Sequence, residues 1–221
     1  MLYFAFATLL VTIIALVWVL RIFSSYNPGK KRVQEDLKKM KLDLDQQNVE
    51  LVPIDEGELE LFSTNQIKQI LKKGITTTAT GVFTTIFDEP VLAYSYKKYV
   101  SKGHNAILLV RTANHEFAYR IQKGEIRIVI DSQLVGALKA DGVLYGAKSQ
   151  KVLAKVNRES DRQLPVLVNN REVGNLALVP TGSSKLKDRA FQFVRDDLSR
   201  DERNIFLSLA ALEMVMQKVE Q

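Results

Sequence analysis

The chain has 221 residues, with 31 basic and 25 acidic side chains, a formal charge of +6 and no cysteine. The lack of cysteine excludes a disulfide framework and a thiolate metal site. Apart from its hydrophobic start, the chain is long enough for one domain with a single buried core, and its basic balance suits an anionic partner.

The first segment predicts a single transmembrane helix. Leu2–Leu20 contains 19 consecutive residues without a charge, which is about 30 Å of helix and matches the hydrocarbon core of a bilayer. Tyr3 and Trp18 lie near its two ends, where aromatic rings favour the interface. A cleaved signal peptide is the alternative, but it requires a basic start and a shorter apolar run.

The charges that flank this segment predict its orientation. No Lys or Arg precedes it, whereas basic residues recur after it from Arg21 to Lys41. The positive-inside rule then predicts a single-pass membrane protein whose anchor is residues 1–23 and whose following domain is cytoplasmic.

Residues 24–58 are predicted to form a juxtamembrane stalk helix and a linker. Asn27-Pro28-Gly29 ends the first helix, because this sequence favours a turn. The apolar residues that follow recur at heptad spacing, at Val33, Leu37, Met40 and Leu44. Two heptads are short for a coiled coil, so we expect a helix lying on the domain, with a homodimer through the stalk as the alternative. Six basic residues between Lys30 and Lys41 also favour an anionic leaflet.

The central part of the chain predicts strands. Thr64 as cap and Gly74 as terminator first indicate a short helix over 64–73. From Ile75 to Val179, runs of β-branched and aromatic residues alternate with turn signals. No long amphipathic helix separates these runs, so an antiparallel sheet, sandwich or barrel is expected rather than a parallel α/β fold.

An internal repeat indicates related β units. Ile130–Leu138 matches Val168–Leu176, 38 residues later. Each unit is predicted to be a strand, an Asx turn and a second strand that begins through Val-Gly, where glycine permits a bulge. The alternative is two ordinary hairpins that share turn chemistry.

The last segment predicts a helix inside the domain. Ser199-Arg200-Asp201-Glu202 is a capping box. Ten of the 12 residues in Ile205–Met216 are apolar, and they cover every face of a helix. Twelve residues span about 18 Å, too short for a bilayer, so protein must enclose them. The expected fold is α+β, mainly β: an N-terminal transmembrane helix, then an antiparallel β-barrel or sandwich that encloses a hydrophobic C-terminal helix.

This pattern resembles the tubby C-terminal and phospholipid-scramblase-like superfamily over residues 59–221. The resemblance lies in Phe191–Leu198, which has alternating Phe and an acidic-Leu step, in the apolar helix Ser199–Val219, and in the turns ending in Val135-Gly136 and Val173-Gly174. It implies a barrel threaded by its last helix, and a module that works at membranes through anionic headgroups or protein partners. It does not carry over scrambling, because this chain has no calcium-loop spacing of acidic residues.

No catalytic, cofactor or metal site is predicted. His104 and His115 lack metal-binding spacing, and the sequence has no nucleophile elbow, Walker loop or dinucleotide-binding motif. We therefore expect a protein that is not an enzyme, needs no cofactor and binds no nucleic acid.

Two basic clusters are the candidate sites for an anionic ligand. Their members are Lys97, Lys98 and Lys102, which lie among tyrosines, and Lys185, Lys187 and Arg189, which lie in a Gly-Ser loop. A half-exposed strand with a charged loop explains the first cluster equally well. The expected function is a membrane-anchored, non-catalytic binding module that recognises anionic lipid headgroups or a protein partner at the membrane surface. The alternative is a structural or assembly subunit of a membrane protein complex.

Overall fold

A computed structural model describes residues 2–26, 28–54, 56–101, 103–158, 163–177 and 189–220. Two α-helices, α1 (Leu2–Ser25) and α2 (Lys30–Gln46), precede a 3-10 helix at Glu56–Leu61, and α3 (Arg200–Val219) follows the last strand. The strands in these ranges are β1 (Phe62–Lys72), β2 (Thr77–Thr85), β3 (Pro90–Lys98), β4 (Asn105–Arg111), β5 (Glu116–Gln122), β6 (Glu125–Ile130), β7 (Gln133–Lys139), β8 (Val143–Gly146), β9 (Val152–Val156), β10 (Gln163–Val168), β11 (Arg171–Ala177) and β12 (Phe191–Val194).

The strands form one antiparallel sheet that curls into a nearly closed barrel. Each strand pairs with its neighbours in the chain, in order from β1 to β12. The two edge strands approach each other where the Ala190 N–H donates to the Phe62 carbonyl oxygen at 2.7 Å. A bridge between Ser63 and Arg189 lies beside this bond. The antiparallel sheet predicted from the sequence is confirmed, and of the predicted alternatives it takes the form of a nearly closed barrel.

Helix α3 fills the barrel. Its buried residues are Phe206, Ser208, Leu209, Ala210, Ala211, Leu212, Met214, Val215 and Val219. Five consecutive buried residues, 208–212, cover all sides of a helix, so α3 cannot lie on a surface with one face in water. Its capping box is formed: Ser199 accepts the Glu202 N–H, and the Glu202 carboxylate accepts the Ser199 N–H at 3.0 Å. The enclosed C-terminal helix predicted from sequence is therefore confirmed.

Two contacts fix α3 against the wall of the barrel. The Tyr119 hydroxyl on β5 donates to the Ser208 carbonyl oxygen at 2.6 Å in the buried interior. On β11, a Cβ placed at Gly174 would lie 2.7 Å from the Phe206 ring. Glycine at this position therefore lets the aromatic ring pack directly on the strand backbone.

The predicted repeat corresponds to two hairpins of the same construction, β6–β7 and β10–β11. Both central turn residues have positive φ, 47° and 68° at Asp131-Ser132 and 50° and 63° at Asn169-Asn170, as in a type I′ turn. In each hairpin the register then shifts, at Val135 and at Val173. These valines are the extra residues of matching β-bulges. The two units thus share their turn, their bulge and the glycine after it.

The short helix expected over 64–73 is wrong, because this stretch belongs to β1. It pairs with β2, with register shifts after Phe62 and after Ile67. The spacing of its apolar residues is compatible with a helix, but backbone pairing with the neighbouring strand decides the conformation. Helix propensity is a weak prior that such tertiary contacts override.

Helix α1 covers the predicted membrane segment, and its described apolar side chains are exposed, with Tyr3 at 90%. In the part of the chain that the structure describes, no helix combines the length and the apolarity needed to cross a membrane. This finding contradicts the transmembrane helix that the sequence predicts for residues 1–23.

Helix α2 lies on the outer surface of the barrel. Met40 and Leu44 are buried against Val82, Ile107 and Leu109 on β2 and β4. Val33 and Leu37 pack beside them, partly buried. The predicted heptad residues therefore contact the barrel, as expected of a helix lying on the domain.

We expect Leu209→Ala to destabilise the domain by about 2–5 kcal/mol, because truncating an enclosed Leu removes apolar contacts and leaves a cavity. Leu42→Ala is the control: Leu42 is 60% exposed and should change stability by no more than about 0.5 kcal/mol. Urea unfolding followed by circular dichroism measures both. A chain that stops at Leu198 should show no cooperative melt; a melt like that of the full domain would contradict the enclosure of α3.

Candidate functional site

The tyrosines of the first basic cluster belong to the core. Tyr94 and Tyr96 on β3 are buried. The Tyr94 hydroxyl donates to Gln66 Oε1 at 3.1 Å, and the Tyr96 hydroxyl lies 3.0 Å from His104 Nε2. Burial, only partly offset by the Gln66 hydrogen bond, raises the pKa of Tyr94 to about 12. Neither ring is available to stack on a ligand at the surface.

Lys97 attaches α2 to the barrel. Its Nζ donates to Asp36 Oδ1 at 2.7 Å, and the Tyr99 hydroxyl donates to Asp36 Oδ2 at 2.8 Å. Asp36 is 5% exposed, and Arg32 Nε lies 3.7 Å from its Oδ2. Burial and the Asp36 carboxylate raise the pKa of Tyr99, so its hydroxyl remains a donor. We call Asp36, Lys97 and Tyr99 the α2 clamp.

A second ionic contact fixes the far end of α2. Arg111 on β4 bonds Asp45 and also Glu116, the latter at 3.3 Å. Lys41 lies 2.5 Å from Glu116. The two contacts, at Asp36 and Asp45, therefore hold the middle and the C-terminal end of α2 on the barrel.

The remaining predicted site residues are dispersed. Lys98 is exposed at the end of β3. Arg189 Nη1 lies 3.6 Å from Glu60 Oε2, beside the start of β1. Since Phe62 pairs with Thr85 and Lys98 pairs with Thr77, at opposite ends of β2, the structure does not bring Arg189 to the Lys97–Lys98 pair. Three predicted residues lie outside the described ranges: Lys102, Lys185 and Lys187.

A basic surface that was not predicted lies at the end of the barrel next to α1. Tyr26, just after α1, forms a parallel bridge with Val100 in the β3–β4 turn. Alternate turns of an antiparallel meander share one end, so the β1–β2, β5–β6 and β7–β8 turns lie at the same end. The lysines in or beside these turns, which we call the basic end, are Lys72, Lys73, Lys98, Lys123 and Lys139. The acidic residues there are Glu125, Asp141 and Glu220, whose Oε1 lies 3.2 Å from His104 Nδ1 in the β3–β4 turn.

The opposite end carries charges of both signs, because its β8–β9 turn holds Lys148 and Lys151. Its β2–β3, β4–β5 and β6–β7 turns carry or adjoin the acidic residues Asp88, Glu89, Glu116 and Asp131. The lysines of the basic end are separated by about two strands in sequence. In a meander, turns that are two strands apart lie at the same end of the sheet. This spacing of the lysines could therefore have predicted the basic end from the sequence.

A groove connects Lys97 to this basic surface. A cavity of about 470 Å³ lies between α2 and the outer face of β1–β3, and Lys39, Lys72 and Lys97 line it together with Asp36 and Asp43. Because two carboxylates lie among these three ammonium groups, the groove offers no purely cationic site. The exposed lysines of the turns are therefore better candidates than the groove for contact with an anionic surface.

The two histidines lie apart, and each has a carboxylate partner. His104 Nδ1 lies 3.2 Å from Glu220 Oε1, and His115 Nδ1 lies 2.6 Å from Asp131 Oδ2. Burial lowers the pKa of His104, with Lys98 adding to this and Glu220 opposing it. Across the described ranges, no group of three or more His, Asp or Glu side chains could hold a metal ion.

Comparisons with known proteins found no match among protein-family models, curated proteins or solved structures. The nearly closed 12-stranded antiparallel barrel around a C-terminal helix is consistent with the tubby-like fold. The likeness to that superfamily is therefore one of architecture.

We expect Asp36→Ala to release α2 from the barrel, because Lys97 and Tyr99 would lose their shared acceptor. Breaking a fully buried ion pair costs about 3–5 kcal/mol; the partial exposure of Lys97 reduces the expectation to about 2–3 kcal/mol. Amides of α2 should then exchange hydrogen about 30- to 150-fold faster in the full chain. Asp43→Ala on the same helix is the matched control, and equal exchange in the two variants would refute the clamp.

Proposed function

We propose that this protein is a membrane-attached, non-catalytic binding module whose basic end recognises anionic lipid headgroups. The observation that carries the proposal is the position of α1. Its exposed apolar side chains and the lysine-bearing turns lie at the same end of the barrel, so a bilayer that covers α1 meets those lysines.

Helix α1 supports attachment to a bilayer. Its exposed apolar residues include Leu9, Leu10, Ile13, Ile14, Leu16 and Val17. Folded proteins rarely leave so large a continuous apolar surface in water, and such a surface marks contact with a membrane or a partner. Trp18, near the end of this run, suits the interface. The basic residues that follow, from Lys30 to Lys41, add electrostatic attraction to an anionic leaflet.

The clamped position of α2 supports a fixed orientation of the barrel. Only three positions of the sequence, 27–29, separate Tyr26 from the first residue of α2. The Tyr26 bridge on one side and the α2 clamp at Asp36 on the other tie this connection to the barrel. The lysine turns are thus held close to the surface that α1 enters.

A binding role fits the chemistry of these turns. The lysines come from separate turns, and in the described structure none of them forms part of a nucleophile–base pair. Point charges on several separate turns suit a surface of many headgroups better than a single small substrate. Each lysine near an anionic leaflet contributes about 1 kcal/mol.

A second candidate function is a structural or assembly subunit of a membrane complex. Strand β1 is an edge strand, and it exposes Ile67, Ile70 and Leu71, with Ile70 at 53%. Edge strands with exposed apolar side chains are templates for pairing with another chain. Binding to a partner membrane protein, without a preference for anionic lipid, would favour this function.

We expect the full chain to sediment with phosphatidylcholine vesicles, because the exposed apolar side chains of α1 would leave water on binding. A chain that begins at Pro28 should be released into the supernatant and should still melt cooperatively, since α2 stays on the barrel. Recovery of the full chain in the supernatant would contradict membrane attachment. A mature N-terminus near Ser25 would instead indicate a cleaved signal peptide.

We expect the chain from Pro28 to bind vesicles that contain phosphatidylserine in preference to vesicles of phosphatidylcholine alone, and to lose binding as salt rises. Changing Lys98 and Lys123 to Gln should weaken this binding about 30-fold, at about 1 kcal/mol per lysine. The matched control changes Lys148 and Lys151, exposed in the β8–β9 turn at the opposite end, to Gln. Sedimentation measures both; equal losses, or equal binding to the two kinds of vesicle, would exclude headgroup recognition by the basic end.

A further inference from the structure

The hairpin of β1 and β2 combines exposed apolar side chains with lysines at the end of the barrel next to α1. Ile75 lies in its turn and is 51% exposed. We propose that this turn inserts into an anionic bilayer, with Ile75 at the boundary between headgroups and acyl chains. Such insertion rests on the proposed function, attachment to a membrane, and assigns an apolar contact to one segment of the basic end.

The register of the sheet places this turn beside the exit of α1. Thr77, the first residue of β2, pairs with Lys98, the last residue of β3. Ile75 lies two positions before Thr77. Val100, two positions after Lys98, forms the bridge with Tyr26. The β1–β2 and β3–β4 turns are therefore neighbours, and a bilayer in contact with the end of α1 also reaches the first of them.

The apolar surface of the hairpin extends beyond Ile75. Ile70 and Leu71 are exposed on the part of β1 nearest the turn, and Ile67 is exposed further along the same strand. Single exposed apolar residues are common on protein surfaces, whereas a group of them marks a contact with a partner or a membrane. The position of the group beside α1, which also exposes apolar side chains, favours a membrane as the common partner.

The same hairpin carries basic residues without acidic ones. From Leu61 to Phe87 the sequence contains three lysines and no Asp or Glu. Lys72 and Lys73 directly precede the turn. Among the described residues neither forms an ion pair, although Asp43 lines the same groove as Lys72. Both ammonium groups can therefore reach lipid phosphates beside an inserted turn, while their alkyl chains follow apolar surface.

The backbone of the hairpin sets the depth of insertion. The ladder between β1 and β2 extends to the Lys72–Thr78 pair, and residues 73–76 lie outside the sheet. Backbone N–H and C=O groups without partners are excluded from the hydrocarbon core, because no water can bind them there. The turn can thus reach the boundary between headgroups and acyl chains, about 5–10 Å deep, as interfacial segments do.

A turn at the other end of the barrel has an exposed apolar residue but the opposite charge. Phe87 in the β2–β3 turn is 66% exposed, and Asp88 and Glu89 follow it. Carboxylates next to an apolar side chain oppose contact with an anionic bilayer, because like charges repel. Phe87 is therefore a matched control for Ile75.

The test is tryptophan fluorescence of the full chain reconstituted in vesicles of phosphatidylcholine and phosphatidylserine. Trp18 is the single tryptophan of the sequence, so a Trp18→Phe parent has none. Ile75→Trp and Phe87→Trp are made separately in this parent, both at exposed positions. Phosphatidylcholine that carries bromine on its acyl chains should reduce the Ile75→Trp fluorescence by about half or more, because the bromine lies at the depth of the turn. The Phe87→Trp fluorescence should not change.

Acrylamide in the water gives the complementary measurement. It should quench the Phe87→Trp fluorescence at least about twice as strongly as the Ile75→Trp fluorescence, because the lipid shields the inserted turn. Gly74→Trp is a second reporter in the same turn, where an added side chain has space, and it should behave as Ile75→Trp does. Equal quenching at the two ends of the barrel, by brominated lipid or by acrylamide, would overturn the proposal.

Failure of insertion is distinct from failure of the proposed function. Sedimentation shows separately whether the chain binds vesicles. A chain that sediments with vesicles but whose Ile75→Trp fluorescence is unaffected by brominated lipid would overturn the insertion and leave membrane attachment standing. A chain that stays in the supernatant would contradict membrane attachment, and the insertion with it. Equal quenching in vesicles that lack phosphatidylserine would overturn the requirement for an anionic bilayer.

Discussion

The structure depends on the need to enclose α3. A helix whose buried residues cover its whole circumference has no face to offer to water, and one layer of sheet could cover only half of it. Twelve short strands that curl around the helix satisfy this need. Two details follow from the same requirement. The Tyr119 hydroxyl bonds the backbone of α3, and the absence of a side chain at Gly174 lets the Phe206 ring pack on the backbone of β11. The helix and the barrel are therefore one core, and neither is complete without the other.

The outside of the barrel uses charge in two different ways. Asp36 is buried, and Lys97 and Tyr99 both donate to it, so their polar groups hold α2 in place and contribute little to the surface. The lysines of the basic end remain in water, where their long-range field acts on whatever approaches. Packing thus separates the basic residues that hold α2 in place from those that act on the surroundings through their electrostatic field.

Sequence reasoning reached the features that are encoded within short stretches of chain. The apolar run of α3 and its capping box lie within about 20 consecutive residues, and the Val-Gly bulges repeat at a fixed distance, so both could be predicted. The conformation of β1 could not, because Ile67, Ile70 and Leu71 fit a helix or a bulged strand, and only the pairing with β2 distinguishes them.

The candidate sites were harder to predict for the same physical reason. Lys97 and Lys98 are adjacent in sequence but point to opposite faces of β3, as neighbouring strand residues do. One of them meets Asp36 and the other meets solvent, and a basic run alone does not reveal which. The basic end gathers lysines from separate turns, and the α2 clamp joins a residue of α2 to two residues of the β3 region, about 60 positions later. Such groupings exist only once the order and register of the strands are known.

The chain order of the barrel has a consequence for its biosynthesis. Consecutive strands pair as neighbours, so hairpins can form one after another as the chain leaves the ribosome. The element that fills their interior, however, follows all twelve of them. Until α3 has been synthesised, the inward side chains of every strand lack their partner, and the incomplete sheet exposes an apolar surface. Such intermediates are prone to aggregation. The growing chain therefore needs protection, from a chaperone or from an adjacent membrane, for the time that separates the first hairpin from the last helix.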